Sequence, residues 1–226
     1  MVAMRIKDGV YWYKEHGLLD ANTYVIQDEI TILIDPGLEH YLELRLNEMR
    51  EDGIEPREVD YIAITHLHPD HCDATALLKD VSGAKVALHP AQVNYRAVMM
   101  EEVSRFLGIE SQVRARKFDV DVVLEENLRI GNTELTIVHT PGHSSDSICF
   151  YARAKKLLIC GDLVFEKSVG RSDLPFGNSE ELEKSINAVS SLDTELLLPG
   201  HGAIIEGGRN VKRNYEFIRA VYLGWR

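Results

Sequence analysis

The chain has 226 residues with a formal net charge of −11, and 45% of its residues are hydrophobic. So acidic a chain lacks the basic surface that nucleic-acid binding requires, and no apolar run approaches the roughly 20 residues of a membrane span. The three cysteines form no CxxC pair and the first residues carry no signal-peptide core, so a cytoplasmic protein without disulfides is expected.

The first part of the chain predicts three strands followed by a helix. The strand segments are rich in β-branched and aromatic residues, and only Asp28 and Glu29 separate the last two, which indicates a hairpin. The helix has Leu42, Leu46 and Met49 at helical spacing. The predicted strands are Tyr11–Tyr13, Asn22–Gln27 and Ile30–Ile34, and the predicted helix is Glu39–Glu51.

The next stretch, Thr65–His71, contains three histidines and an aspartate directly after the apolar run Tyr61–Ile64, which predicts a short buried strand. His66 and His68 are two residues apart, so in an extended chain their side chains point to the same side. Imidazole and carboxylate are usual ligands of zinc and related divalent ions, so the stretch indicates a metal site.

Asp70 and His71 open the next predicted helix, Asp70–Lys79, and therefore reach the same point from a different direction. The alternative is that Asp70 only caps this helix while the histidines lie on a surface turn. The density of ligand-type residues favours the metal cluster.

The remaining chain alternates short strands with helices, and no linker or low-complexity tract divides residues 1–226, which predicts a single domain. A four-layer αββα sandwich fits two similar halves, although the pattern alone equally allows another mixed α/β domain. The helix Ala91–Leu107 has a Met-rich face, for which core packing is favoured over a wall above a substrate pocket. The other predicted strands are Lys85–Leu88, Phe118–Leu124, Leu128–Ile130, Glu134–Val138, Ser147–Tyr151, Lys156–Cys160 and Leu196–Leu198, and the other helices are Ser179–Leu192 and Asn210–Leu223.

Three more ligand-type residues, His143, Asp162 and His201, each follow a predicted strand. Loops at one edge of a packed sheet are common places for chemistry, and the glycine or proline beside each residue favours a sharp turn. Any one of them alone would be explained by a turn histidine or a strand-end cap. Together with Thr65–His71 they make a set of seven candidate ligands.

This order, HxHxDH and then His, Asp and His, resembles the metallo-β-lactamase superfamily, and within it the glyoxalase II-like (hydroxyacylglutathione hydrolase-type) hydrolases. The resemblance spans most of the chain and implies the four-layer αββα fold. It also implies that Asp35 lies near the ligands and contacts them on the side away from the metal. The implied ligands are His66, His68 and His143 for one metal ion and Asp70, His71 and His201 for the other, with Asp162 bridging both.

The activity implied by the resemblance is hydrolysis of a thioester, or a related activated ester, by a hydroxide held between two divalent metal ions. Zinc is the expected metal, with iron and manganese as alternatives, and Asp70 and Asp162 are the expected catalytic residues. The substrate is a small molecule, and its contacts are expected in Val169–Asn178 and Ala91–Gly108.

Three other functions stay open. One is a persulfide dioxygenase-like enzyme with a single iron held by His68 or His66, His143 and Asp162. The second is a lactonase of the same superfamily. The third is a metal-dependent binding module without turnover, which the complete ligand set disfavours because structural zinc sites usually close with four ligands.

The sequence departs from the family pattern in two places. Cys72 follows the motif where the family commonly has a glycine pair, and a buried thiol is expected there, with a partner of the ligands or an oxidation site as alternatives. The chain is also too short for the C-terminal helical region that binds glutathione in the larger enzymes. Arg209, Lys212 and Arg213 are expected to form a solvated helix face rather than a site for an anionic thiol.

Overall fold

The computed structural model describes residues 4–7, 9–17, 19–96 and 98–223. Two β-sheets pack face to face. In the first sheet the strands lie in chain order; the first four are antiparallel to their neighbours, and parallel pairing begins between the fourth and the fifth. These strands are β1 (Met4–Lys7), β2 (Val10–Tyr13), β3 (Thr23–Gln27), β4 (Thr31–Ile34), β5 (Tyr61–Ala63), β6 (Lys85–Leu88) and β7 (Val122–Val123).

The second sheet comes from the later half of the chain. Its strands are β8 (Asn127–Ile130), β9 (Thr133–His139), β10 (Ile148–Ala152), β11 (Leu157–Gly161), β14 (Leu196–Pro199) and β15 (Ile205–Glu206). Their spatial order is β15-β14-β11-β10-β9-β8, and β11 and β14 run parallel. A separate two-stranded ribbon, β12 (Val164–Phe165) and β13 (Ser168–Val169), follows β11.

Helices cover the outer face of each sheet, which completes four layers in the order αββα. The helices are α1 (Leu42–Glu51), α2 (Pro69–Cys72), α3 (Thr75–Ser82), α4 (Pro90–Tyr95), α5 (Met99–Leu107), α6 (Ser179–Val189) and α7 (Gly208–Val221). One apolar cluster joins the first sheet to helices α1, α3 and α5, and another joins the second sheet to α6 and α7. Within the described residues, no helix combines the length and apolar character needed to cross a membrane.

The central strands are apolar at consecutive positions because both of their faces are buried. Ile32 and Ile34 point into the cluster between the sheets, whereas Leu33 packs under the helices of the first layer. In the second sheet, Ile159 lies between the sheets and Leu158 packs under α6 and α7. This alternation explains why the short apolar runs of the sequence predict strands correctly.

Two predicted helices are interrupted in the structure. The predicted helix Asp70–Lys79 is divided into α2 and α3, because the buried Asp73 carboxylate accepts hydrogen bonds from the distant backbone N–H groups of Glu39, Arg114 and Ala115. These tertiary hydrogen bonds stabilise the fold more than a continuous helix through Asp73 would.

The predicted helix Ala91–Leu107 is likewise two helices, α4 and α5, and Val98 between them has a non-helical backbone (φ −124°, ψ −26°). Met99 is buried in the outer apolar cluster and Met100 packs against it, so core packing of this face is the observed arrangement.

The predicted strand Phe118–Leu124 pairs with the sheet only at Val122–Val123. Just before that pair, an Asp121 carboxylate oxygen accepts a hydrogen bond from the N–H of Val86 at 2.8 Å, so a side chain takes the place of a strand partner. Sequence reasoning missed β1, β12, β13 and β15, three of which are only two residues long.

The pairing brings the ends of four important strands to one edge of the sandwich. Ile34 pairs with Ala63 and Gly161 pairs with Pro199, both in parallel register, so the segments after these strands leave each sheet at the same end. The backbone N–H of Ile148 donates to the carbonyl of Thr65 at 2.8 Å and ties the two sheets together there.

Candidate metal centre

The residues after β5 form an extended segment in which successive side chains point to opposite sides. Leu67 is buried in the outer apolar cluster, so His66 and His68 project the other way. The Leu67 N–H donates to a buried carboxylate oxygen of Asp146 at 2.9 Å, which pins the turn. Helix α2 then begins at Pro69, a residue favoured at the first helical position.

One group of three buried imidazoles consists of His66, His68 and His143. Their candidate ligand atoms all lie within 4.8 Å of one another, and His143 Nε2 is 2.9 Å from His68 Nδ1. The chain thus brings together two residues of the motif and one that follows β9, 75 residues later than His68.

A second group consists of Asp70, His71 and His201, also with ligand atoms within 4.8 Å. His201 Nε2 lies 3.1 Å from Asp70 Oδ2, and His71 Nε2 lies 3.8 Å from the same oxygen. The helical turn of α2 aims Asp70 and His71 at the loop that follows β14.

The Asp162 carboxylate lies between the two groups. Its Oδ2 is 3.5 Å from His143 Nε2 and 3.4 Å from His201 Nε2, whereas its Oδ1 is 3.3 Å from His71 Nε2. A single carboxylate therefore approaches nitrogens of both groups, which is the arrangement a bridging ligand needs.

Hydrogen bonds behind the imidazoles orient the rings. Asp35 Oδ2 is 2.8 Å from His71 Nδ1, and the same carboxylate accepts from the N–H and the hydroxyl of Thr65, each at 2.7 Å. The Thr65 hydroxyl oxygen is 3.1 Å from His66 Nδ1 and completes a chain from Asp35 to that ring. Both rings are thereby held in the tautomer that leaves Nε2 free as a ligand atom.

The rings of His143 and His201 are oriented by contacts from segments that are distant in sequence. The Arg171 carbonyl oxygen is 2.6 Å from His143 Nδ1, and a Glu15 carboxylate oxygen is 3.1 Å from His201 Nδ1. Glu15 also accepts from the N–H of Gly202. Both contacts leave the Nε2 atoms of these histidines facing the cluster.

The donor atoms fit divalent cations. Among the residues that the structure describes, His66 Nε2, His71 Nε2 and Asp162 Oδ1 are buried side-chain atoms with no hydrogen-bond partner, an arrangement that costs free energy unless a cation binds them. Neutral imidazole nitrogens and carboxylate oxygens form the donor set that zinc, iron and manganese accept. The site therefore has the chemistry of a metal centre.

The electrostatics of the two groups differ. Burial and the neighbouring His143 lower the pKa of His68 to about 3, which keeps that ring neutral and its lone pair available. Burial alone would lower the pKa of His71, but the carboxylates of Asp162, Asp35 and Asp70 outweigh it and raise the pKa to about 10. The second group thus attracts positive charge, which a metal ion would supply while displacing protons.

Glycines allow the backbone to approach the ligands closely. A Cβ at Gly200 would lie 2.6 Å from His71 Cε1 and would also overlap Asp162 Oδ1. Gly161 has φ +50°, and a Cβ there would lie 2.6 Å from the Thr65 hydroxyl oxygen. A larger residue at Gly200 would displace Asp162 and His71, and one at Gly161 would displace Thr65, which contacts His66.

The seven residues singled out from the sequence all lie in this cluster, and Asp35 contacts it as the resemblance implies. Cys72 is fully buried, and burial raises the pKa of its thiol, in agreement with the expectation of a buried thiol. Arg209, Lys212 and Arg213 are exposed on α7, as expected.

Sequence reasoning missed several residues that support the ligands. Glu15, Thr65 and Asp146 carry polar side chains, but nothing in their spacing links them to ligands far along the chain. The adjacency of Thr65 to His66 at a strand end was the one available signal. The Arg171 contact is made by a backbone carbonyl, and because every residue has one, the residue type does not predict this contact.

Comparison with known proteins gives consistent relatives. A model of the metallo-beta-lactamase superfamily matches residues 16–201. The probable metallo-hydrolase YqgX of Bacillus subtilis (strain 168) is 34% identical over 194 residues, covering 84% of this chain and 86% of the relative. The acyl-coenzyme A thioesterase MBLAC2 of Gallus gallus is 30% identical over 223 residues, covering 85% of this chain and 77% of the relative.

Among solved structures, TTHA1623 in a di-iron-bound form superimposes with a TM-score of 0.71 and 31% identity, covering 85% of this chain and 92% of that chain.

Proposed function

The chain belongs to the metallo-β-lactamase superfamily, whose fold binds divalent metal ions, often two, and on this premise we propose that it is a glyoxalase II-like hydrolase of thioesters or related activated esters. The observation that carries the proposal is the position of Asp162 between two groups of three ligand-type side chains. The relative named as an acyl-coenzyme A thioesterase supports thioesters as the substrate class.

The residues would hold two cations, the first through His66, His68 and His143 and the second through Asp70, His71 and His201, with Asp162 shared between them. Such cations supply Lewis acidity and lower the pKa of water from about 15.7 towards 7. Zinc is the proposed metal, and iron and manganese are the alternatives that the same donor set accepts.

The protein's own contribution is to position charge and protons. Asp70 Oδ2 lies close to nitrogens of both His71 and His201, so Asp70 would orient the attacking water while binding its metal. Asp35 and Thr65 keep His71 and His66 in one tautomer, which fixes where their lone pairs point.

A thioester suits such a site because its leaving group needs little help. A thiol ionises near a pKa of about 8.5, so the thiolate leaves without a strong general acid. An ordinary alkyl ester would have to expel a much more basic alkoxide. Thioesters and activated esters are therefore the proposed small-molecule substrates, and nucleic acids are not.

The test combines metal content with a substrate panel. Protein purified without added metal is analysed for zinc, iron and manganese per chain and assayed with acyl thioesters, a lactone and a β-lactam. Close to two ions per chain and fastest turnover of thioesters would support the proposal.

Two results would overturn it. Turnover limited to the lactone would show that the enzyme is a lactonase. One iron per chain together with oxygen uptake on a persulfide would show that it is a dioxygenase.

A further inference from the structure

Phe176 adopts a backbone conformation that its side chain disfavours. Its φ is +65°, in the left-handed region where glycine is the usual residue, and 38% of its surface is exposed. The strained backbone and the exposure of an aromatic ring both cost free energy. A residue kept in this state points to a role beyond packing.

The Phe176 ring lies against Tyr95 of α4. Their ring centroids are 5.5 Å apart and the rings are tilted by 56°, a favourable aromatic arrangement. The pair joins two segments far apart in sequence, α4 and the loop that leads into α6. These are the segments in which the sequence predicts substrate contacts.

Both segments are attached to the His66, His68 and His143 group. The buried Gln92 of α4 donates its side-chain N–H to the carbonyl of Ile64, two residues before His66, at 2.7 Å. On the other side, the Arg171 carbonyl contacts His143 Nδ1 at 2.6 Å. Tyr95 and Phe176 therefore lie on two segments, each of which makes a hydrogen bond to the residues that form this metal group.

The loop carries its own anchors and little free charge. The Asn178 N–H donates to the carbonyl of Gly142 at 2.7 Å, next to His143. Arg171 forms two hydrogen bonds of 2.9 Å with Asp173, which offset its charge. What the loop presents beside α4 is thus aromatic surface rather than a cationic site.

We propose that Tyr95 and Phe176 form the apolar wall that binds the acyl group of the substrate beside the His66, His68 and His143 group. This inference rests on the proposed thioester hydrolysis. An acyl chain covering the two rings would remove apolar surface from water, and each added methylene is expected to improve kcat/KM about fourfold until the wall is covered.

The test uses a series of acetyl, butanoyl, hexanoyl and octanoyl thioesters of one thiol, so that only the acyl group changes. The variants are Phe176→Gly and Tyr95→Ala, and the control is Phe217→Ala, which removes a ring of similar exposure (40%) from α7. For both test variants, the octanoyl-to-acetyl ratio of kcat/KM is expected to fall at least tenfold, mainly through KM. The control is expected to keep the wild-type ratio.

Phe176→Gly separates substrate binding from structure, because glycine relieves the strained φ. The melting temperature is expected to change little, because relief of the strained φ offsets loss of the contact with Tyr95, while the chain-length preference is lost. Equal losses on every acyl group together with a lower melting temperature would show a structural role and overturn the inference. An unchanged ratio in both test variants would overturn it as well.

A second readout separates this inference from the proposed reaction. Binding of the corresponding S-alkyl thioethers, which cannot be hydrolysed, is measured by calorimetry on metal-loaded protein. Binding that strengthens with chain length in the wild type and not in Phe176→Gly supports the wall even if no thioester is turned over. Thioester turnover without chain-length dependence in either assay contradicts the wall alone.

Discussion

At the scale of single residues, the candidate centre depends on charges that have no solvent to stabilise them. Asp162 is 9% exposed and approaches nitrogens of three histidines, and Asp35 is fully buried against His71. Buried carboxylates are costly unless they are paired or bind a cation. The same geometry that destabilises the side chains individually suits the group to binding metal ions.

The first residue-scale prediction concerns Asp162→Asn, which keeps the shape of the side chain and removes its charge. Loss of the shared carboxylate is expected to lower metal content and reduce turnover by more than about 100-fold, since even outer partners of ligands cost 10–100-fold. Elemental analysis and initial rates measure both effects. The control is Asp193→Asn, an exposed carboxylate paired with Lys156; full metal content in Asp162→Asn would contradict the bridging role.

The second residue-scale prediction concerns Glu15, which sequence reasoning missed. Glu15→Gln weakens the acceptor that orients His201 and is expected to reduce metal affinity about 10–100-fold with little loss of fold. Competition with a chelator measures the affinity. Glu43→Gln, at a carboxylate that is 75% exposed, serves as the matched control. Equal affinities in the two variants would show that Glu15 does not position His201.

At the scale of elements, the site is made by strand ends. The segments after β5, β9, β11 and β14 each contribute ligand-type residues, and the parallel pairings β4–β5 and β11–β14 bring them to one edge. Helix α4 is fastened near its start to the strand that leads to His66, because the Gln92 side chain donates to the carbonyl of Ile64. Strand ends and one anchored helix therefore position the site.

The element-scale prediction concerns the turn after β14. Gly200→Ala would place a Cβ against Asp162 and His71, and is expected to lower metal content and activity at least tenfold. Gly208→Ala is the control, because its nearest neighbour is 3.5 Å away and alanine is favoured over glycine in a helix such as α7. Circular dichroism of both variants checks the fold. Wild-type metal content in Gly200→Ala would mean that the turn can yield without moving the ligands.

At the scale of the whole molecule, the candidate ligands come from both sheets. His66, His68, Asp70 and His71 follow a strand of the first sheet, whereas His143, Asp162 and His201 follow strands of the second. A bound cation would therefore tie the two halves together and stabilise the folded state but not the unfolded one. Metal content and unfolding should be linked.

The whole-molecule prediction is that chelation lowers thermal stability. A ligand at 100 times its Kd stabilises by about 2.7 kcal/mol, and for a chain of this size each kcal/mol shifts Tm by roughly 2–4 °C, so a decrease of about 5–10 °C is expected. Thermal unfolding with chelator and after zinc is restored measures it. The Asp162→Asn variant should show a smaller decrease, and identical Tm values with and without chelator would contradict metal bridging of the sheets.

The sequence by itself determined which residues are candidate metal ligands and most of the strands. The spacing of His66, His68, Asp70 and His71 after a β-branched run reveals a metal site, because both the alternation of a strand and the ligand types are local properties. Strands buried on both faces can also be predicted, because they appear in the sequence as continuous apolar runs, which are a local property. The four-layer order came from the family resemblance, since the pattern alone allowed other α/β arrangements.

Only the tertiary structure decided how distant segments complete the site. Glu15 meets His201 across 186 residues, and the Arg171 carbonyl meets His143 across 28. The break between α2 and α3 likewise follows from hydrogen bonds between Asp73 and remote backbone groups, and Gln92 fastens α4 to the backbone of Ile64. Such contacts depend on how the two sheets pack, and a backbone carbonyl or a lone acidic residue carries no spacing that reveals its partner.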